Sequence, residues 1–173
     1  MTIEDKCAFD DDGSHCSWAK LREQQLNTSK RVKAVFLVTA IDTGEFEQIH
    51  PTGKDIITQR LAIAANNIVS DKNEEYTGPI FEKMRVEGNR AIITFSHADG
   101  LCVNEDIDYI CICGEDEVYY RAQCEVVNNE LTVYSDKVKE PFDVKYAFCN
   151  WATGGIKNSS GFPALPFRVL MRL

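Results

Sequence analysis

An α/β region followed by an antiparallel, β-rich, sandwich-like module is the fold class this sequence predicts, and three observations carry it. The run KAVFLVTAI, within 32–41, is apolar on both faces, as a strand buried in a parallel sheet between helices must be. The segment QIHPTGKDIITQRLAIAANNIV then changes to helical spacing, with Ile57, Leu61, Ala64 or Ala65 and Ile68 on one face. Beyond residue 75 that periodicity stops, and strand-length runs separated by turn residues take over. The expected division is therefore 1–75 and 76–173.

The elements follow in chain order. Asp10-Asp11-Asp12-Gly13 lacks the alternating ligands and distal glutamate of a calcium loop and reads as a solvated turn. Ser17 is placed to cap a short helix over 18–26, with Trp18, Leu21 and Gln25 on one face, and Asn27-Thr28-Ser29-Lys30 is expected to break it. The strand over 32–41 ends at Asp42 and Gly44. Thr52 with Asp55 three residues later reads as a capping box that opens the next helix near Thr52. Candidate strands are 80–87, 90–97, 109–113, 118–127, 130–135 and 144–150, with hairpin signals at Gly88-Asn89 and Asn128-Asn129. The tail with Pro163 and Pro166 reads as a strapped-down terminal segment.

Composition bounds the partners. With 173 residues and 44% hydrophobic content, the chain suffices for one domain or two small ones with a real core. Nineteen basic against 27 acidic residues give a net charge of -8, which argues against nucleic acid or an anionic membrane as the partner. MTIEDKCAFDDDGSHC has no apolar stretch of signal-peptide length and no later stretch approaches a membrane span, so the expected location is cytoplasmic.

His50 is the focal candidate. It lies between the end of the apolar run and the start of the second helix, where open α/β sheets gather their catalytic loops. Asp42, Glu45 and Glu47 precede it in one loop, any of which could orient the imidazole through its second nitrogen. A histidine in a solvated acidic turn is the competing reading. The 7 cysteines form no metal-ligand spacing: Cys111 and Cys113 alternate on one strand face and read as buried thiols, and Cys16 beside His15 has no spaced partner. His97 reads as the cap of an exposed turn, and Trp151 and Phe162 as either sugar-stacking or packing residues.

The ordered set Trp18-Ala19-Lys20-Leu21-Arg22-Glu23-Gln24-Gln25, Ala40-Ile41-Asp42-Thr43-Gly44, Ile49-His50-Pro51, Arg60-Leu61-Ala62, Val144-Lys145-Tyr146-Ala147-Phe148, Asn158 and Gly161-Phe162-Pro163-Ala164-Leu165-Pro166-Phe167-Arg168 resembles the C-terminal part of the sialate O-acetylesterase family. These are serine carbohydrate esterases of the SGNH-hydrolase type. The resemblance implies the C-terminal part of a flavodoxin-like hydrolase domain followed by a β-rich segment. It implies an O-acetylated carbohydrate substrate and acyl transfer by serine, histidine and acid, with no metal or organic cofactor. His50 takes the place of the general base. The family commonly has an aspartate shortly before that histidine; here the loop reads Glu47-Gln48-Ile49-His50, so Glu47 is the chosen orienting acid and Asp42 the reserve.

The family's nucleophilic serine and oxyanion-hole residues precede the matched blocks. Ser14, Ser17 and Ser29 lie in turn or cap contexts rather than after a core strand. A base without its nucleophile forfeits most of the mechanism, because these groups act as a unit. The expectation is a chain that supplies the histidine half and needs a missing N-terminal half, or that covers its open flank by forming a homo-oligomer. A non-catalytic carbohydrate-binding or accessory β module is the alternative, and a truncated reading frame a third.

Overall fold

Among residues 16–48, 50–70, 72–104, 107 and 109–170, which the computed structural model describes, two helices precede ten strands. The strands are β1 (Ile80–Glu87), β2 (Arg90–Ser96), β3 (Cys102–Val103), β4 (Ile110–Cys113), β5 (Tyr120–Arg121), β6 (Gln123–Val127), β7 (Glu130–Tyr134), β8 (Asp143–Tyr146), β9 (Ile156–Lys157) and β10 (Phe167–Leu170). They pair antiparallel into a four-stranded sheet ordered β1-β2-β7-β6, a second ordered β10-β8-β4-β5, and the small pair β3-β9.

Alternation along each strand sends one set of side chains inward. Ala91, Ile93, Leu131 and Val133 of the first sheet share a single core cluster with Ile110, Ile112, Val144 and Tyr146 of the second. Phe167 closes the gap between the sheets, its ring centroid 5.2 Å from Phe81 and 5.6 Å from Phe95. Two hairpins sit where the turn residues place them. Gly88 between β1 and β2 has φ 61, and Asn128 and Asn129 between β6 and β7 have φ 52 and 64, the paired left-handed residues of a type I′ turn.

Several expectations are corrected. The strand expected over 118–127 is two strands in different sheets: buried Ala122 donates its N–H to the Ile110 carbonyl at 3.1 Å, and the chain crosses there from the second sheet to the first. The strand expected over 144–150 ends at Tyr146, because Ala147 turns left-handed with φ 49. The proline-containing segment, expected to be strapped down, leads into β10, which pairs with β8 from Phe167↔Tyr146 to Leu170↔Asp143.

Helix α1 (Ser17–Arg31) runs through the residues expected to break it. The Thr28 hydroxyl donates to the Gln24 carbonyl and the Ser29 hydroxyl to the Leu26 carbonyl, each at 2.8 Å, so both side chains bond back into the helix instead of competing with it. Ser17 is the first helical residue rather than the cap; the side-chain oxygen of Asn150 accepts the Trp18 N–H at 3.2 Å. Helix α2 (Asp55–Ser70) begins later than expected, because Thr52 donates both its N–H and its hydroxyl to Glu45 Oε1, at 3.1 and 2.9 Å, and does not cap. No helix among the described residues is long and apolar enough to cross a membrane.

The buried parallel strand expected over 32–41 is also corrected. Val32 is extended, Ala34 is left-handed with φ 58, and residues 35–40 join no ladder among the described residues. A parallel strand takes its hydrogen bonds from neighbours on either side, and the described residues supply none.

The face of β8 turned away from the core carries Asp143 and Lys145, both fully buried. Burial pushes the Asp143 carboxyl up to about 6, against the opposing pull of the Tyr119 hydroxyl donating to it, Lys145, the Val169 backbone and Arg168. The folded chain holds this proton more tightly than the unfolded one, so stability drawn from Asp143 is present at low pH and declines as pH rises toward 6. Asp143→Asn removes that decline. Measured by urea unfolding, the stability of the variant relative to the native chain should rise by about 2 kcal/mol between about pH 4 and about pH 7. A difference that does not change with pH would refute the assignment.

Candidate active site

The loop between the run and α2 is fastened at four places. Asp42 takes both arms of the Arg60 guanidinium, at 2.6 and 2.7 Å, and Arg60 also donates to the Thr39 carbonyl at 2.7 Å. The Arg60 side chain is only 7% exposed and lies over the Phe162 ring, 5.8 Å from its centroid. This joins the loop to α2 and to the segment before β10. Glu45 holds Thr52 from across the loop and receives the Gln48 N–H on its backbone carbonyl at 3.1 Å.

The fourth fastening is aromatic. Trp151 stands edge-on to Phe46 with centroids 5.5 Å apart. Its ring also presses against Gly44, where an added Cβ would come within 3.2 Å of two ring carbons. Trp151 is positioned by its neighbours in turn: Cys149 donates its thiol to the Trp151 carbonyl at 2.8 Å, and Arg22 of α1 donates to the Cys149 carbonyl. The loop is thereby tied to the sandwich, α1 and α2 together.

His50 sits at the end of this loop, exposed, in a bend before α2. Glu47 is exposed at a turn three residues earlier. Among the described residues no hydrogen bond joins the two, and no hydroxyl bonds to His50. Asp42, the reserve acid, has both oxygens committed to Arg60. Chemically the loop offers an imidazole open to solvent and, three residues earlier in sequence, an exposed carboxylate, on a loop held by the Asp42–Arg60, Glu45–Thr52 and Phe46–Trp151 contacts.

Other sequence candidates fall elsewhere. His97 lies in a left-handed turn, φ 55, with Nδ1 2.8 Å from Glu75 Oε1, and its carbonyl accepts from Asn158. Cys111 and Cys113 are buried on β4. Trp151 and Phe162 both serve packing in this structure, against the loop and Arg60 respectively. His15, Ser14, Cys7 and the Asp10–Asp12 cluster lie outside the described residues. Sequence reading missed the roles of Glu45, Arg60 and Asn150. Arg60 had a legible signal, since an arginine on the same helical stripe as Ala64 and Asn67 faces whatever that stripe faces; Asn150 had none, because its partner is 132 residues away.

Arg60→Met should cost about 2 kcal/mol, since it strands a partly buried carboxylate and the Thr39 carbonyl. Urea unfolding checks this. A loss under about 0.5 kcal/mol would mean the pair behaves as a solvated surface contact.

No protein-family model and no curated protein matches the chain. The structure is similar to the crystal structure of a carbohydrate acetylesterase from Xanthomonas citri, with a TM-score of 0.86 and 28% identity over 94% of this chain. The chain spans 38% of the length of that enzyme. The similarity supports a carbohydrate-esterase relation for this chain.

Proposed function

We propose that this chain is the histidine-bearing part of a carbohydrate O-acetylesterase of the sialate O-acetylesterase type, built as residues 1–75 of an SGNH-type hydrolase domain and a β-rich module over 76–173. The observation that carries the reading is the fastening of the His50 loop to α2 and the β-sandwich in a chain similar to a carbohydrate acetylesterase. A catalytic base must be held to within fractions of an ångström, and the Asp42–Arg60, Glu45–Thr52 and Trp151–Gly44 contacts are the kind of support that holds one.

In this mechanism His50 takes the proton of a serine hydroxyl supplied from outside the described residues as the serine oxygen bonds to the acetyl carbon. Glu47, which does not bond to His50 in this structure, would hold the imidazole through its other nitrogen once the loop adjusts around the substrate. His50 then gives the proton to the departing sugar oxygen, and water, activated by the same imidazole, releases acetate from the acyl-enzyme. The substrate is an acetyl ester on a sugar. The test is acetate release from p-nitrophenyl acetate and from an O-acetylated sialoside by the chain joined to a nucleophile-bearing part. Turnover that depends on His50 is expected; sugar binding without turnover would assign the sandwich to an accessory role instead.

A further inference from the structure

Cys149 stands at the foot of the support beneath the His50 loop. Its thiol donates to the Trp151 carbonyl at 2.8 Å, and the Trp151 ring packs against Gly44 and Phe46 of that loop. A second thiol belongs to the same neighbourhood. Cys16 is the residue before α1, and α1 meets the Cys149 segment at two points: the Trp18 N–H donates to the Asn150 side chain at 3.2 Å, and Arg22 donates to the Cys149 carbonyl. Cys16 and Cys149 belong to one core cluster, 0% and 3% exposed, and both are thiols in this structure. Burial holds the Arg22 guanidinium below its ordinary value, and the Cys149 and Cys16 sulfurs oppose that shift, so the cation lies in the field of both. Its Nε is buried without a hydrogen-bond partner, a donor in reserve for a thiolate.

We propose that Cys16 and Cys149 are a redox pair: oxidation joins them as a disulfide that pins α1 to the sandwich, releases the Trp151 carbonyl and so loosens the His50 loop. The oxidant is a small disulfide of the glutathione class. Cys149 gives up its proton, and its thiolate, paired with Arg22, attacks one sulfur of the oxidant. The oxidant's S–S bond breaks, one thiol leaves, and a mixed disulfide remains. The Cys16 thiolate then attacks the Cys149 sulfur and expels the second thiol. Two electrons pass from the protein to the oxidant, and the two cysteine protons end on the departing thiols. Access comes from α1, which buries only Ala19 of its 15 residues and so lifts locally at little cost. A disulfide sulfur carries no hydrogen, so the Trp151 carbonyl loses its donor and the ring loses part of what holds it against Gly44. Cys111 is a poorer partner for Cys149, because burial pushes its thiol up to about 12. The proposal rests on the functional reading only in calling the loosened loop catalytic.

The test treats the 173-residue chain with oxidised glutathione and maps the cross-link by mass spectrometry of its peptides. A Cys16–Cys149 disulfide is expected, with Tm raised by about 5 °C or more because the closed loop takes in most of the chain. Amide exchange at Gln48, whose N–H bonds to the Glu45 carbonyl, should quicken by about fivefold, the share of one hydrogen bond. Cys16→Ser and Cys16→Ala both keep the Cys149 thiol, so in either variant the oxidant should change neither reading, while the mapping in the native chain needs neither of them. Three results overturn the proposal: a cross-link at any other pair or at none, exchange at Gln48 indifferent to oxidation, and a response that persists without Cys16. A chain that oxidises and loosens as stated, yet hydrolyses no acetyl ester when joined to a nucleophile-bearing part, keeps the redox pair and refutes the functional reading, so the two fail separately.

Discussion

His50→Ala should lower acetyl-ester hydrolysis by the assembled enzyme by about 10⁴-fold while leaving the fold of this chain intact. In the proposed mechanism the substitution removes the group that both accepts the serine proton and returns it to the leaving oxygen, which sets the size. The unchanged fold follows from position: His50 is exposed and makes no hydrogen bond among the described residues, so its removal opens no cavity and strands no polar partner. Steady-state kinetics and thermal unfolding of the same preparation check both halves. Glu47→Ala should cost less, because in the proposed mechanism the acid acts through the imidazole and not on the substrate. Full activity in His50→Ala would remove this residue from the mechanism and favour an accessory role for the module.

Gly78→Ala should have the opposite signature, a large loss of stability from a residue outside the proposed catalytic pair. Gly78 is buried just before β1, and an added Cβ would stand 1.9 Å from the Pro163 carbonyl oxygen, 2.4 Å from its carbon and 2.7 Å from the Phe162 carbonyl oxygen. All three are backbone atoms, so no side chain can rotate away. The segment that would have to yield is itself bonded in place: Asn158 donates to the carbonyls of Thr77 and His97 and accepts the Phe162 N–H, while Leu165 donates to the Pro79 carbonyl. Overpacking of this kind should cost about 3 kcal/mol, roughly 10 °C in Tm for a domain of this size. Circular dichroism melting reads it directly. A shift within about 1 °C would show that the two segments do not approach so closely.

How much of this was legible in the sequence depends on whether the determinants were local. β1 is found at the expected bounds, and the Asn128-Asn129 turn falls where two residues tolerant of positive φ stand between alternating runs. The split at Ala122 was not legible, because nothing in 118–127 distinguishes one strand from two that serve different sheets. β3 and β9 are two residues long, too short to show any period. The apolar run at 32–41 was expected to be buried on both faces and Leu61 and Ile68 to lie on a packed helix face, yet Val32, Val35, Phe36, Leu61 and Ile68 are exposed. Composition shows that a surface is apolar but does not supply the partner that buries it.

The site divides in the same way. The placement of His50 and the acids ahead of a helix followed from pattern and resemblance, whereas the contacts that fix the loop join Arg60 to Asp42 and Trp151 to Gly44 across 18 and more than a hundred residues. Asp42 illustrates the difference. Sequence proximity made it a reserve partner for the histidine, but the guanidinium of Arg60 occupies both its oxygens.

The most direct measurement is acetate release from an O-acetylated sialoside by the 173-residue chain, alone and combined with the unmatched part of the Xanthomonas citri acetylesterase. The account predicts no turnover by the chain alone and turnover by the combination that disappears in His50→Ala. Hydrolysis by the chain alone at the rate of the combination, or by neither, would contradict it.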